Sequence, residues 1–445
     1  MSIKIAIVAG TRPEFIKLAP ILKLIELDPE LTLVFIHTGQ HYDYEMSKVF
    51  LKNLNLPTPH FNIEVKSGTH NYQIGTLLTE IENLIEKEKP DVIIAEGDTN
   101  TVIATALSSI KSNSCFMHLE AGIRSFDKRM PEEINRILTG ACAMYHLVPT
   151  ERAAINLAFE GIERDKIFIV GNTIVDAVTQ IKEIAEKKSS ILEDLNIYEE
   201  KPIVLITLHR PANVDHRESL ELLINAISEM DNFNFIFPIH PRTRKNLIKF
   251  KLWSKLEEVS NIRITKSLGY LDFLKLFSKA SCVLTDSGGI QEESSILKIP
   301  CITLRNNTER PETIEFGTNV LIGLDMDKLK REMQKILLDS TYLKGKSDIN
   351  PFGDGKAAER IIEIVKDLYK KNKLTIKKLG LWEEIPKRFL KKIKEEDHNF
   401  IVKKFEEKYD LKIQLIFDKK GNPTFPYNNT LLQKDDTVLI LSLKY

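Results

Sequence analysis

The chain has few cysteines, and none are paired at a spacing that suggests chemistry. Cys115, Cys142, Cys282 and Cys301 are the four among 445 residues, each in an apolar context. Without Cys-x-x-Cys, the common redox motif and thiolate metal sites are excluded. The four read as reduced core thiols of a cytoplasmic protein. No His-Glu-x-x-His or similar ligand spacing occurs, so no metal is expected. No apolar run approaches the roughly 20 residues that cross a bilayer, so membrane insertion is not expected. Met1–Gly10, with one lysine in an Ile/Val run, reads as a first core strand rather than a cleavable leader. Charge of either sign is not in excess, with 63 Lys+Arg against 63 Asp+Glu. That balance argues against nucleic acid as a partner but leaves room for a local basic pocket for phosphate. Heptads, solenoid periods and low-complexity tracts are absent as well.

What is present is the alternation of a multidomain α/β protein. At this length two or three domains are expected. Ile3–Ala9, Thr32–His37, Val92–Ala95, Cys115–His118, Tyr145–Val148 and Ile167–Val170 read as strands. Helical patterns such as Pro13–Leu27 and Asn71–Lys89 lie between them. The alternation implies βαβ units and a parallel sheet. It restarts after a charged helical segment, Asp176–Leu192. Ile203–Leu208, Phe233–Ile239, Ile262–Thr265, Cys282–Thr285 and Cys301–Leu304 form a second set of strands, with helices at Leu220–Glu229 and Leu271–Lys279. The expectation is two Rossmann-like domains, 1–172 and 173–369, with parallel sheets facing across a cleft where a ligand binds beyond the strand ends. After a lysine-rich run at Lys370–Lys378, residues 374–445 read as a small appended α+β module. Its strands are Leu411–Phe417 and Thr437–Leu443, with a turn at Lys420-Gly421-Asn422-Pro423.

Candidate chemistry clusters at strand ends. Gly10-Thr11-Arg12-Pro13-Glu14 follows the first strand; a helix N-terminus with an added arginine favours an anion. Ser287-Gly288-Gly289 follows Cys282–Thr285 and precedes a helical pattern, Ile290–Leu297, so its backbone N–H groups can cradle a diphosphate. Gln291, Glu292 and Glu293 are expected in that helix's first turn, where a carboxylate can accept ribose hydroxyls; helix capping explains acids there equally well. Glu96-Gly97-Asp98-Thr99 and His118-Leu119-Glu120-Ala121-Gly122 end two consecutive strands, and Pro131-Glu132-Glu133-Ile134-Asn135-Arg136 begins a helix. Carboxylates at such positions form an acid/base set if the fold brings them together, and caps or surface ion pairs if it does not. His209-Arg210 and His240-Pro241-Arg242 also follow strands, a pairing that suits anion binding.

In this order the motifs resemble the non-hydrolysing UDP-N-acetylglucosamine 2-epimerases. Thr38-Gly39-Gln40-His41, Val170-Gly171-Asn172-Thr173 and Thr308-Glu309-Arg310-Pro311-Glu312 complete the series, which covers roughly residues 3–367. The resemblance implies a GT-B-like fold, a UDP-sugar substrate, a homodimer and no cofactor. It implies UDP expulsion from C1 with loss of the C2 proton, a 2-acetamidoglucal intermediate, and UDP re-addition with protonation of the opposite face. By position it implies Asp98, Glu120 and Glu132 as the carboxylates of the chemistry, with Arg136 nearby. His209 and Arg12 match phosphate-side groups, His209 also being counted with the catalytic set. Ser287, Gly288, Gly289 and Glu293 match the residues holding diphosphate and ribose, and Arg310 lies in the family's second-domain loop. His240 joins the binding set from its place beside a strand end.

Two departures stand out. His209-Arg210 continues as Pro211-Ala212-Asn213 where many members have Arg-Glu-Asn, and Tyr42-Asp43-Tyr44 follows Gln40-His41, which puts allosteric activation by substrate in doubt. Rival readings are a hydrolysing epimerase releasing ManNAc and UDP, a GT-B glycosyltransferase, and a nucleotide-sugar sensor with the terminal module as its output.

Overall fold

The structure is a computed structural model that describes residues 2–39, 51–52, 54–65, 68–197, 201–339, 341–343, 345, 350–375 and 387–442. Gln40, His41 and Leu443 lie outside the described residues. The chain forms two compact units, Met1–Thr173 with Lys356–Tyr445, and Ile174–Gly355.

The first unit is built on a seven-stranded parallel sheet. Its strands are β1 (Ile3–Ala9), β2 (Leu31–His37), β3 (Phe61–Asn62), β4 (Val92–Glu96), β5 (Cys115–Leu119), β6 (Tyr145–Val148) and β7 (Ile167–Ile169), in the order β3-β2-β1-β4-β5-β6-β7. β1, β4 and β5 are runs of apolar residues buried on both faces, as a sheet covered by helices on each side requires. The strand order reverses between β1 and β4, so the loops after these two strands diverge and leave a crevice at their carboxyl ends. Those loops are Gly10-Thr11-Arg12 and Gly97-Asp98-Thr99.

The second unit repeats the plan with six parallel strands: β8 (Ile203–Thr207), β9 (Asn234–Pro238), β10 (Ile262–Thr265), β11 (Cys282–Thr285), β12 (Cys301–Thr303) and β13 (Asn319–Leu321), ordered β10-β9-β8-β11-β12-β13. Its reversal lies between β8 and β11, which feed His209-Arg210 and Asp286-Ser287-Gly288. Cys115, Cys282 and Cys301 are buried free thiols, and Cys142 is half-buried.

Two expectations need correction. The span 173–369 is not one body, because the helix Ala357–Lys370 belongs to the first unit. It buries Ile361, Ile362, Val365 and Leu368. Lys366 bridges Asp28 and Glu30, each at 2.6 Å, and Arg360 donates to the Val170 carbonyl at 3.1 Å. The amphipathic pattern made this a helix; it did not say which core would bury its apolar face. The module carries four strands rather than two: β14 (Lys387–Lys392), β15 (Lys412–Phe417), β16 (Pro423–Thr424) and β17 (Thr437–Ser442), ordered β14-β17-β15-β16. β14 is a lysine-rich edge strand, a composition that discourages pairing with foreign strands and hides the strand signal. Among the described residues no helix is long and apolar enough to cross a membrane.

Candidate active site and nucleotide cradle

In the first unit the turn after β1 is closed by its own helix. The Glu14 carboxylate accepts from the Gly10 and Thr11 N–H groups at 2.5 and 2.9 Å, a capping box that satisfies donors the helix leaves unpaired. The Thr99 hydroxyl donates to its other oxygen at 2.6 Å, tying the β4 loop to the β1 loop. Burial pushes the Glu14 carboxyl up to about 7 against these hydrogen bonds. Arg12 is the half-buried first residue of the same helix.

One helical turn further, the Lys17 ammonium lies between two carboxylates. It is 3.1 Å from Glu96 and in a short ion pair with Glu120. All three are largely buried. Burial raises the Glu96 carboxyl well above its ordinary value, Lys17 opposes that rise, and the neighbouring Glu120 adds to it. Glu120 holds a left-handed backbone at φ 62°, strained for a residue with a side chain. Gly122 follows at φ 81°, where a Cβ would stand 2.2 Å from the Ala153 carbonyl, so glycine is obligatory.

Asp98 meets Arg136 at 2.5 Å, and Asn135 donates to the Asp98 carbonyl at 2.9 Å. Arg136 is fixed in turn by Glu133 at 2.8 Å. Burial pushes Glu133 up, but N–H donors from Ser125 and Phe126 together with Arg136 hold it below the usual range. Glu132 is exposed in the first turn of the helix Pro131–Cys142, one residue away from this buried network. His118, brought down to about 4 mainly by burial, is a neutral imidazole whose Nε2–H donates to the Gly97 carbonyl at 2.8 Å.

The second unit has a fully buried hub, Asp286. It accepts from the backbone N–H of His209 and of Arg210 and from the Asn213 amide, at 3.0–3.2 Å. The His209 Nδ1 lies 3.2 Å from the same carboxylate, and its ring stands 5.6 Å from that of His240. Burial lowers both histidines, with Asp286 opposing the shift. The exposed His240 accepts from the Arg242 N–H at 3.2 Å through Nδ1, capping the helix Pro241–Lys249.

Ser287 is the N-cap of the helix Gly288–Leu297, and its side chain is not spent on capping. A Cβ on Gly288 would come within 2.9 Å of Glu309, whereas one on Gly289 would meet nothing within 4 Å. The protein fills the space beside the first glycine and leaves open the space beside the second, where a ligand can approach the backbone. The helix begins at Gly288, so Gln291 closes its first turn as expected, while Glu292 and Glu293 lie past it, contrary to the expectation. Gln291 is spent on Thr308, Asn319 and the Ser287 carbonyl. Glu292 accepts from Arg310 Nε at 2.7 Å. Glu293 lies beside Tyr270, whose hydroxyl is pushed up by burial and by that carboxylate. Burial pushes Glu309 up, yet Arg310, Arg305 and Arg210 hold it far below its ordinary value.

The structure thus joins Asp98 to Arg136, and His209 to the Asp286 hub from which Ser287–Gly289 continue. Lys17 and Asp286 were assigned no role from sequence, and Glu14 and Glu96 stood inside motifs without a role of their own. Lys17 left a signal, a lysine inside the apolar run Phe15-Ile16-Lys17-Leu18-Ala19, where charge is rare unless paired. Among the described residues no group of three or more His, Cys, Asp or Glu could hold a metal ion.

Comparison with known proteins adds an independent line. A family model described as UDP-N-acetylglucosamine 2-epimerase matches residues 23–366. The UDP-N-acetylglucosamine 2-epimerase of Methanocaldococcus jannaschii is 48% identical over 366 residues, covering 81% of this chain and 98% of that protein. A Pseudomonas aeruginosa UDP-2,3-diacetamido-2,3-dideoxy-D-glucuronate 2-epimerase is 37% identical, over 82% of this chain and all of its own length. The crystal structure of the M. jannaschii enzyme in complex with UDP-GlcNAc and UDP superposes with a TM-score of 0.75, at 48% identity, over 82% of this chain and all of that one. Its fold and those of its neighbours are GT-B-like, and the same two parallel sheets are present here, with the small antiparallel sheet as an addition. With a family model spanning most of the sequence and a 48%-identical relative matched nearly end to end, this chain belongs to the UDP-N-acetylglucosamine 2-epimerase family.

Proposed function

We propose that the protein interconverts UDP-N-acetylglucosamine and UDP-N-acetylmannosamine by the non-hydrolysing route. The C2 proton is removed while the C1–O bond to UDP breaks, leaving 2-acetamidoglucal and UDP. UDP then re-adds at C1, and a proton arrives on the opposite face of C2. The observation that carries this reading is the set of acids at the ends of β4 and β5, held by Lys17 and Arg136.

Inversion requires proton transfer at both faces of C2, and Asp98, Glu120 and Glu132 supply it in this reading. The Lys17 ammonium lies between Glu96 and Glu120, and Glu96, raised by burial and by Glu120, is the neighbour with which a proton can be shared. In this reading the departing diphosphate is received by the N–H groups at Gly288 and Gly289, by the Ser287 hydroxyl, by the His209 imidazole and by the cations Arg12 and Arg310, which stabilise charge as it develops. Glu293 takes the ribose hydroxyls, and His240 stands beside His209 on the phosphate side. Neither step consumes an oxidant or a metal-bound nucleophile. The reading includes a homodimer, a cytoplasmic location and a product destined for surface glycans.

Proton NMR with UDP-N-acetylglucosamine in deuterated water, with no cofactor added, tests it. UDP-N-acetylmannosamine with deuterium at C2 and little free UDP is the expected result. Accumulating free ManNAc and UDP would assign the hydrolysing reaction instead. An unchanged sugar would move the substrate to a modified UDP-sugar of the kind named for the P. aeruginosa relative.

A further inference from the structure

The residues beyond 366 lie outside the span matched by the family model, yet the module reaches the core of the catalytic unit. After the β15–β16 hairpin, turned at Gly421 and capped by Asp418, the chain drives Phe425 out of the module. Phe425 is 5% exposed and packs in one cluster with Ala121, Ala153, Ala154, Leu157 and Ile167. Its backbone N–H donates to Glu151 at 3.0 Å.

Two more fastenings fall nearby. Arg164 meets Glu406 through both of its terminal nitrogens, at 3.0 and 3.1 Å, and its N–H donates to Gln414 at 2.9 Å. The Phe417 ring stands 6.0 Å from that of Phe159. These fastenings therefore load the helix Glu151–Glu160 and the short turn that follows it.

The same helix carries the Glu120 turn. Gly122 rests on the Ala153 carbonyl so closely that no Cβ fits, and Asn156 donates to the Gly122 carbonyl at 2.9 Å. Arg124 grips Glu160 with two bonds of 2.6 and 2.7 Å. Ala121, the residue after Glu120, touches the cluster that Phe425 completes. The left-handed backbone of Glu120 persists only while its surroundings over-determine it. The packing behind Ala121 is part of those surroundings, and the module adds Phe425 to it.

We propose that Phe425 is a positioning residue for the epimerase reaction: the appended module seats the helix Glu151–Glu160, and that helix sets the backbone of Glu120. The inference rests on the reading above, in which Glu120 acts at C2. It makes the module a part of the catalytic machinery rather than a solvated extension. A displacement of about 1 Å at a reacting group can cost a hundredfold in rate, so packing one residue away is enough to matter.

The test uses the full chain. Phe425→Ala should lower kcat about tenfold while KM for UDP-N-acetylglucosamine stays within about twofold, because the nucleotide cradle belongs to the other unit. Phe425→Leu, which refills most of the volume, should restore most of kcat. If Phe425→Ala does not fold, Glu151→Ala removes the docking acceptor alone and should give a smaller loss, still in kcat. A folded Phe425→Ala protein with wild-type kcat, whatever its melting temperature, overturns the inference. Wild type and Glu120→Gln are measured alongside. If wild type turns over and Glu120→Gln does not, equal kcat for Phe425→Ala sinks this inference alone; a wild type inert toward UDP-N-acetylglucosamine sinks the functional reading and this inference with it.

Discussion

The two units solve opposite electrostatic problems on the same scaffold. Both place their site at a strand-order reversal, β1/β4 in one and β8/β11 in the other. The first unit buries acids with too little positive charge: Glu96 and Glu120 share Lys17, and Glu14 accepts from the Gly10 and Thr11 N–H groups and the Thr99 hydroxyl. The Glu14 and Glu96 carboxyls are pushed up toward or into the range where they can exchange protons. The second unit surrounds Glu309 with Arg210, Arg305 and Arg310, which hold it far down. Such a carboxylate is a fixed charge that shapes a loop. Undercompensated burial makes an acid reactive, whereas compensated burial makes it structural.

This contrast can be broken or sharpened by experiment. The largest effect is expected from Glu120→Gln, which should lower the epimerisation rate by about 10³-fold or more while changing UDP affinity little. Equal losses in rate and UDP binding would merge the two roles assigned here to separate units.

Next is the cost of removing one cation from each unit. Arg310→Met removes a cation that pairs with both Glu292 and Glu309 and should cost about 3–5 kcal/mol in urea unfolding at neutral pH. Lys17→Met should cost about 2 kcal/mol less, because Glu96 can take up a proton instead. Equal costs would remove the distinction between the sites.

Glu14 gives a pH test of similar size. Its folded value of about 7 lies above the ordinary 4.5. Below pH 4.5 both states hold the proton and nothing is lost. Between about 4.5 and 7 the folded carboxyl keeps a proton that the unfolded chain has released, so stability falls as pH rises, by about 3 kcal/mol in all. Glu14→Gln should lack that slope in unfolding curves taken across this window; a parallel curve would place the Glu14 titration elsewhere. His118 contributes with the opposite sign. Held near 4, it stays neutral while the unfolded chain protonates, so stability is lost as pH falls from about 6.5 toward 4.

The smallest stability effect belongs to the nucleotide cradle. Gly289→Ala meets nothing in the protein and should leave stability equal or raised by about 0.5–1 kcal/mol. UDP affinity should drop about tenfold, since the methyl occupies the approach to the backbone. Titration calorimetry showing unchanged UDP binding would take Gly289 out of the cradle.

The sequence by itself determined much of this protein. Apolar runs alternating with amphipathic stretches set the strands, because a sheet buried on both faces tolerates little else. Strand ends followed by Gly, Ser, Asp or Glu marked the loops where Asp98, Glu120 and Ser287–Gly289 stand. Only the tertiary structure decided which of these residues meet. Lys17 and Glu120 are 103 residues apart, and His209 and Asp286 are 77 apart, distances at which local pattern carries no information. Glu132 and Glu133 are neighbours in sequence, but successive helical residues face directions about 100° apart, and the fold buried the second and exposed the first. The helix Ala357–Lys370 and Phe425 were equally undecided: an apolar face specifies that it will be buried, and the assembled cores decide where.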